Sequence, residues 1–93
     1  MKFRNKKVTV LIDVRSRLEF WFGHMPGAIQ IPVRKINAAT LESRGIARDA
    51  EILVYCASGA RSAVAARVLK QAGYKRVMDG GGLASVRKGL SED

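Results

Sequence analysis

Cysteine and histidine are nearly absent: the 93-residue chain carries one of each, Cys56 and His24. One cysteine cannot close an intrachain disulfide, which excludes a disulfide-stapled scaffold and suits a working thiol to a reducing compartment. One Cys and one His far apart in sequence supply no tetrahedral zinc set, and neither a metal nor another cofactor is expected. Acidic residues are scarce, 8 against 17 basic, for a formal charge of +9. Aromatics make up 6% of the chain and do not interleave with the basic residues, which run from Lys2 to Lys88 and cluster at Lys2, Arg4, Lys6 and Lys7. That distribution fits a solvated surface attracting small anions better than a nucleic-acid interface. Long apolar runs are missing too. Val8 to Ile12 is interrupted by Thr9 and ended by Asp13, short of the apolar core of about 7–15 residues in a secretory signal and of the roughly 20 that span a membrane. A cytoplasmic protein is expected, with a periplasmic one as the alternative if a signal peptide has been removed.

What remains is a hydrophobic fraction of 47%, enough for one small domain over residues 1–93, its basic residues 1–7 expected to be disordered. No repeat or low-complexity segment divides it. Ile52-Leu53-Val54-Tyr55 reads as a short buried strand running into Cys56. Beyond it, Val64, Ala65, Val68, Leu69 and Ala72 keep one apolar face through three turns of helix, and Gly73 supplies the stop. Cys56 therefore sits between a strand end and a helix N-terminus, where unpaired N–H groups and the helix dipole stabilise an anion. Small Ala57, Ser58, Gly59 and Ala60 let successive N–H groups curl toward the sulfur, and Arg61 adds a positive charge. Such surroundings depress a thiol pKa and make the sulfur nucleophilic. The competing reading, a lone buried cysteine acting as a small hydrophobe, leaves the small-residue loop and its arginine unexplained.

Cys56-x-Ser58-Gly59-x-Arg61-Ser62, followed by Ala65-Ala66, Leu69 and Gly73-Tyr74, resembles the active-site loop and helix of the rhodanese family of sulfurtransferases. Earlier, Asp13-Val14-Arg15, Glu19-Phe20, Gly23-His24-Met25-Pro26-Gly27-Ala28-Ile29 and Ile31-Pro32 resemble that family's first signature at matching spacing. Two motifs in the right order and separation are far more specific than either alone. The resemblance implies an α/β, rhodanese-like three-layer fold: a small parallel sheet flanked by helices, with the usual domain's N-terminal strand and helix missing, as in short single-domain members such as the phage-shock type. It implies a thiosulfate sulfurtransferase moving sulfur through a Cys56 persulfide to cyanide or a thiol, with Ala57 to Arg61 binding the anion. The alternatives are a persulfide carrier fed by a protein donor and a non-catalytic interaction module. The expected partners are thiosulfate, a thiol or cyanide acceptor and a protein sulfur donor or acceptor; no nucleic acid or membrane is expected, and the chain is expected to be monomeric. Asp13 and Arg15 are expected to support the loop, whereas His24 falls in a structural turn. Phosphatases of related fold place five residues between Cys and Arg, and Cys56 and Arg61 enclose four.

Coarser expectations complete the reading. Ser16 to Phe22 is expected as a short helix, Ala28 to Ile31 as a brief strand, Lys35 to Arg44 as a helix with Ile36 and Leu41 inward, and Lys75 to Met78 as the final strand. Trp21 and Phe22 are expected to pack in the core or near the surface rather than to form a base-stacking platform. Gly80-Gly81-Gly82 allows backbone to approach the site, and Val86 stands where the family often has tryptophan.

Overall fold

The computed structural model describes Met1 to Glu92. A hairpin of β1 (Lys2–Phe3) and β2 (Lys6–Lys7) leads into β3 (Val10–Asp13), α1 (Arg17–Phe22), β4 (Ile29–Gln30), a 3₁₀ turn at Val33–Lys35, α2 (Ala38–Ser43), β5 (Glu51–Cys56), α3 (Ala60–Gln71), β6 (Arg76–Gly82), α4 (Leu83–Gly89) and β7 (Leu90–Ser91). Four strands form a parallel sheet in the order β4-β3-β5-β6, with Asp13 beside Tyr55 and Cys56 beside Gly82. The strands run in one direction, so Asp13, Cys56 and Gly82 all end at the same edge. In an open α/β sheet that edge is where ligands bind.

Alternation along β5 sorts its side chains between two cores. Ile52, Val54 and Cys56 join Ala65, Leu69 and Tyr74 on one face. Leu53 and Tyr55 join Phe3, Val8, Leu11 and Val86 on the other. Because both faces are covered, β5 is apolar throughout after Glu51, as a central parallel strand requires. Val86 is fully buried; a Cβ on Gly80 would lie 2.8 Å from its Cγ2, so the small Gly80 makes room for the valine.

Four expectations are corrected. Residues 1–7 are ordered as a hairpin: Arg4 and Asn5 both have positive φ, 50° and 66°, the backbone that a tight two-residue hairpin needs. Phe3 anchors it, 1% exposed, and β1 also pairs with β7. A single buried aromatic in a basic run carries too little periodicity to be read as a strand. Trp21 and Phe22 stay largely in solvent, 76% and 74% exposed. The Lys35–Arg44 helix begins three residues later, at Ala38, because Asn37 caps it through Oδ1 on the Thr40 N–H at 2.8 Å. Ile36 and Leu41 are buried as expected. The strand expected to end at Met78 continues to Gly82, and β7 follows it.

Candidate functional site

Cys56 is the last residue of β5 and is fully buried beneath the loop that follows. Gly59, at φ +106°, occupies the N-cap of α3 and turns the chain so that its N–H donates to Cys56 Sγ at 3.0 Å. The Ser62 N–H donates to the same sulfur at 3.4 Å. Ser62 Oγ ties the loop down, donating to Gly59 O at 3.0 Å and lying 3.4 Å from Gly81 O. Burial pushes the Cys56 thiol pKa up. The Ser62 N–H, the neighbouring Ser62 hydroxyl and the N–H groups of Gly59 and Ser58 outweigh it, and the net shift is downward. Of the predicted site residues, Ala57, Ser58 and Ala60 are exposed and Gly59 is half-buried.

The glycine run of β6 forms one wall. A Cβ on Gly82 would lie 2.5 Å from Ala57 O, and one on Gly59 would lie 3.7 Å from Gly81 Cα. Backbone therefore packs on backbone where the loop leaves β5, which only glycine permits. Asp79 Oδ1 accepts the Gly81 N–H at 2.9 Å and fixes the wall.

Arg61 does not face the sulfur as a free cation. Its Nη1 and Nη2 grip Glu19 Oε1 and Oε2 at 2.7 and 2.9 Å, a bidentate pairing that holds α3 to α1. The Arg61 bond first, then the Ser16 backbone, hold the Glu19 carboxyl down to about 2. Glu19 also accepts the Ser16 N–H at 3.0 Å while Ser16 Oγ accepts the Glu19 N–H at 3.2 Å, a capping box for α1. Ser16-x-x-Glu19 advertises that box in the sequence; nothing local reveals that the same carboxylate reaches Arg61, 42 residues on.

Asp13 and Arg15 form a buried ion pair, with Arg15 Nη2 on Asp13 Oδ2 at 2.7 Å. Arg15 Nη2 also donates to Gly23 O at 2.6 Å. Their hydrogen bonds thus reach the end of α1; none described here reaches residues 57–61. They brace the end of α1, the helix that carries Glu19. His24 stacks on Phe20 with ring centroids 3.5 Å apart, and its Nδ1 lies 2.8 Å from Phe20 O, in keeping with a structural turn. Tyr55 OH accepts the Met25 N–H at 3.0 Å, and burial raises its pKa to about 12. Among the described residues no cluster of His, Cys, Asp or Glu is suited to a metal ion, and no helix is long and apolar enough to cross a membrane.

Comparison with known proteins agrees with this geometry. A sulfurtransferase of Allochromatium vinosum is 40% identical over 83 residues, covering 87% of this chain and 75% of that protein. A putative sulfur carrier protein of Bacillus subtilis, YrkF, is 35% identical over 69 residues, 74% of this chain but 36% of its own length. Among solved structures, an E. coli rhodanese with anions superposes with a TM-score of 0.74 at 30% identity, covering 82% of this chain and 88% of that one. The family profile of the rhodanese-like domain matches residues 1–84, and with both signatures now in place around Cys56, the chain belongs to the rhodanese-like sulfurtransferase family.

Proposed function

We propose that the protein transfers sulfane sulfur through a persulfide on Cys56, with thiosulfate as a donor and cyanide or a thiol as acceptor. One observation carries the reading: Cys56 Sγ receives the N–H groups of Gly59 and Ser62 at 3.0 and 3.4 Å at the head of α3. The thiolate attacks the outer sulfur of thiosulfate; the S–S bond to the sulfonate breaks, sulfite leaves with the electron pair, and a Cys56 persulfide remains. Cyanide then takes the terminal sulfur as thiocyanate and restores the thiolate. Charge stays on sulfur through both half-reactions, so the fixed donors around Sγ serve each in turn. The four residues between Cys56 and Arg61 make a cradle better matched to sulfur than to a tetrahedral phosphate.

A carrier loaded by a protein donor is the second reading, and the engagement of Arg61 with Glu19 favours it. Ala57 and Ala60 add no charge, so little in the loop attracts the thiosulfate dianion. Intact-protein mass spectrometry after thiosulfate and then after cyanide tests the proposal. The expected result is one added sulfur on wild type, absent from Cys56→Ser and removed by cyanide. Absence of the added sulfur rejects thiosulfate as donor and leaves the carrier reading. We place the protein in a reducing compartment, as a persistent thiolate requires.

A further inference from the structure

α1 is an unusual helix for so small a domain. Four of its six residues are apolar, yet none is fully buried. Leu18, Trp21 and Phe22 are 64%, 76% and 74% exposed, and Trp21 meets Phe22 edge-on at 5.3 Å. Beside them lies a cavity of about 560 Å³, lined in part by Leu18, Arg17, Arg34, Lys35 and Arg44. The lining of that cavity contains no carboxylate, and the three ion pairs among the described residues engage other arginines. An apolar ridge therefore runs into a basic hollow. The ridge also sits beside the thiol loop: Glu19, between Leu18 and Trp21 in the same helix, holds Arg61 of α3 at 2.7 Å.

We propose that this face is a docking surface for an acidic protein segment with apolar anchors, which brings a sulfur donor or acceptor to Cys56. Exposed Trp flanked by Arg is the composition of an interface hot spot, and uncompensated cations beside it select a negatively charged partner. A second copy of this chain is disfavoured, because a two-fold contact would set the same four cations against themselves. RNA fits less well: Leu18 is aliphatic, and the edge-on Trp21–Phe22 pair offers no parallel platform for successive bases. The proposal rests on the persulfide reading of Cys56 for its purpose, but the docking itself is measurable without it.

Trp21 is the only tryptophan in the chain, so its fluorescence reports on this face alone. A displayed library of random 12-residue peptides, selected on the intact protein and counter-selected on Leu18→Ser/Phe22→Ser, is expected to enrich Asp and Glu around Leu, Phe or Trp. The leading peptide, resynthesised without tryptophan, should shift Trp21 emission to shorter wavelength. Its affinity should fall at least tenfold in Leu18→Ser/Phe22→Ser and in Arg17→Glu/Arg34→Glu, and weaken as salt rises. Both double variants should still load sulfur from thiosulfate as wild type does, whatever that level is. No enrichment, enrichment of basic peptides, no change in Trp21 emission, or affinity unchanged in both variants would overturn the proposal. So would tighter binding of an oligouridylate at low salt, or a dimer in sedimentation that Leu18→Ser/Phe22→Ser abolishes. Failure of sulfur loading with peptide binding intact would instead reject the thiosulfate reading and leave the docking face standing.

Discussion

Replacing Gly82 with alanine should disturb the loop without touching the thiol. At φ −85° the Gly82 backbone accepts any L residue, so the effect is steric alone. The new Cβ would sit 2.5 Å from Ala57 O, and a tolerable contact begins at 3.0–3.4 Å. Loop and wall must therefore separate by about 0.5–0.9 Å, and both sides are backbone, which cannot rotate away. Overpacking of this kind costs about 1–3 kcal/mol. At roughly 2.1 cal/mol/K per residue the unfolding entropy of a 93-residue chain is about 0.2 kcal/mol/K, so the midpoint should fall by about 5–15 °C. The Gly59 and Ser62 donors move relative to Sγ by a similar fraction of an ångström. Misplacement by about 1 Å can cost a hundredfold in rate, and sulfur loading should slow by about 10–100-fold while Cys56 stays alkylatable in denaturant. Differential scanning fluorimetry and stopped thiosulfate-loading time courses read the two effects. An unchanged melting temperature together with unchanged loading would show that the Gly82–Ala57 contact does not position the loop.

Asp13→Asn leaves Arg15 buried without its counter-charge, a loss of about 3–5 kcal/mol or roughly 15–25 °C in thermal melts; a change below about 1 kcal/mol would refute the role of the pair. Iodoacetamide alkylation of wild type followed against pH should show a midpoint below the free-cysteine value of about 8.5, and Ser62→Ala, which removes the hydroxyl beside the sulfur and its tie to Gly59 O, should move it up; a wild-type midpoint at or above the free value would contradict the donor set. Glu19→Gln should lower the melting temperature by about 2–5 °C at pH 7, for a half-exposed bidentate pair worth about 0.5–1 kcal/mol. Because the folded Glu19 pKa is depressed from 4.5 to about 2, the difference should be complete above pH 4.5 and shrink as the pH falls toward 2. A difference that grows on acidification would show that Arg61 is held in another way.

Much of the fold and of the loop was written in local pattern. The apolar run Ile52 to Tyr55 ending at Cys56, the small residues Ala57 to Ala60 and the helical periodicity after them specify a strand, a tight loop and a helix start through short-range sterics alone, and the structure has all three. The Gly80–Gly82 run likewise announced a close backbone approach, and Gly82 meets Ala57. Pairings across long separations were another matter. Arg61 read as a positive charge beside the sulfur that either binds the sulfonate or fixes the loop, and only the packing of α1 on α3 set it against Glu19. Phe3 was hidden in a basic run until β7 came back to pair with β1 and closed the second core over it. Trp21 and Phe22, apolar and near the start of the chain, read as core or near-surface packing; the capping box and the buried Asp13–Arg15 pair orient α1 so that they face outward. The sequence by itself determined that Cys56 ends a strand beneath a small-residue loop and a helix start, because those depend on neighbours within a few residues. Tertiary structure alone decided which charge the arginine answers and which apolar side chains stay exposed, because each depends on the angle at which one element meets another.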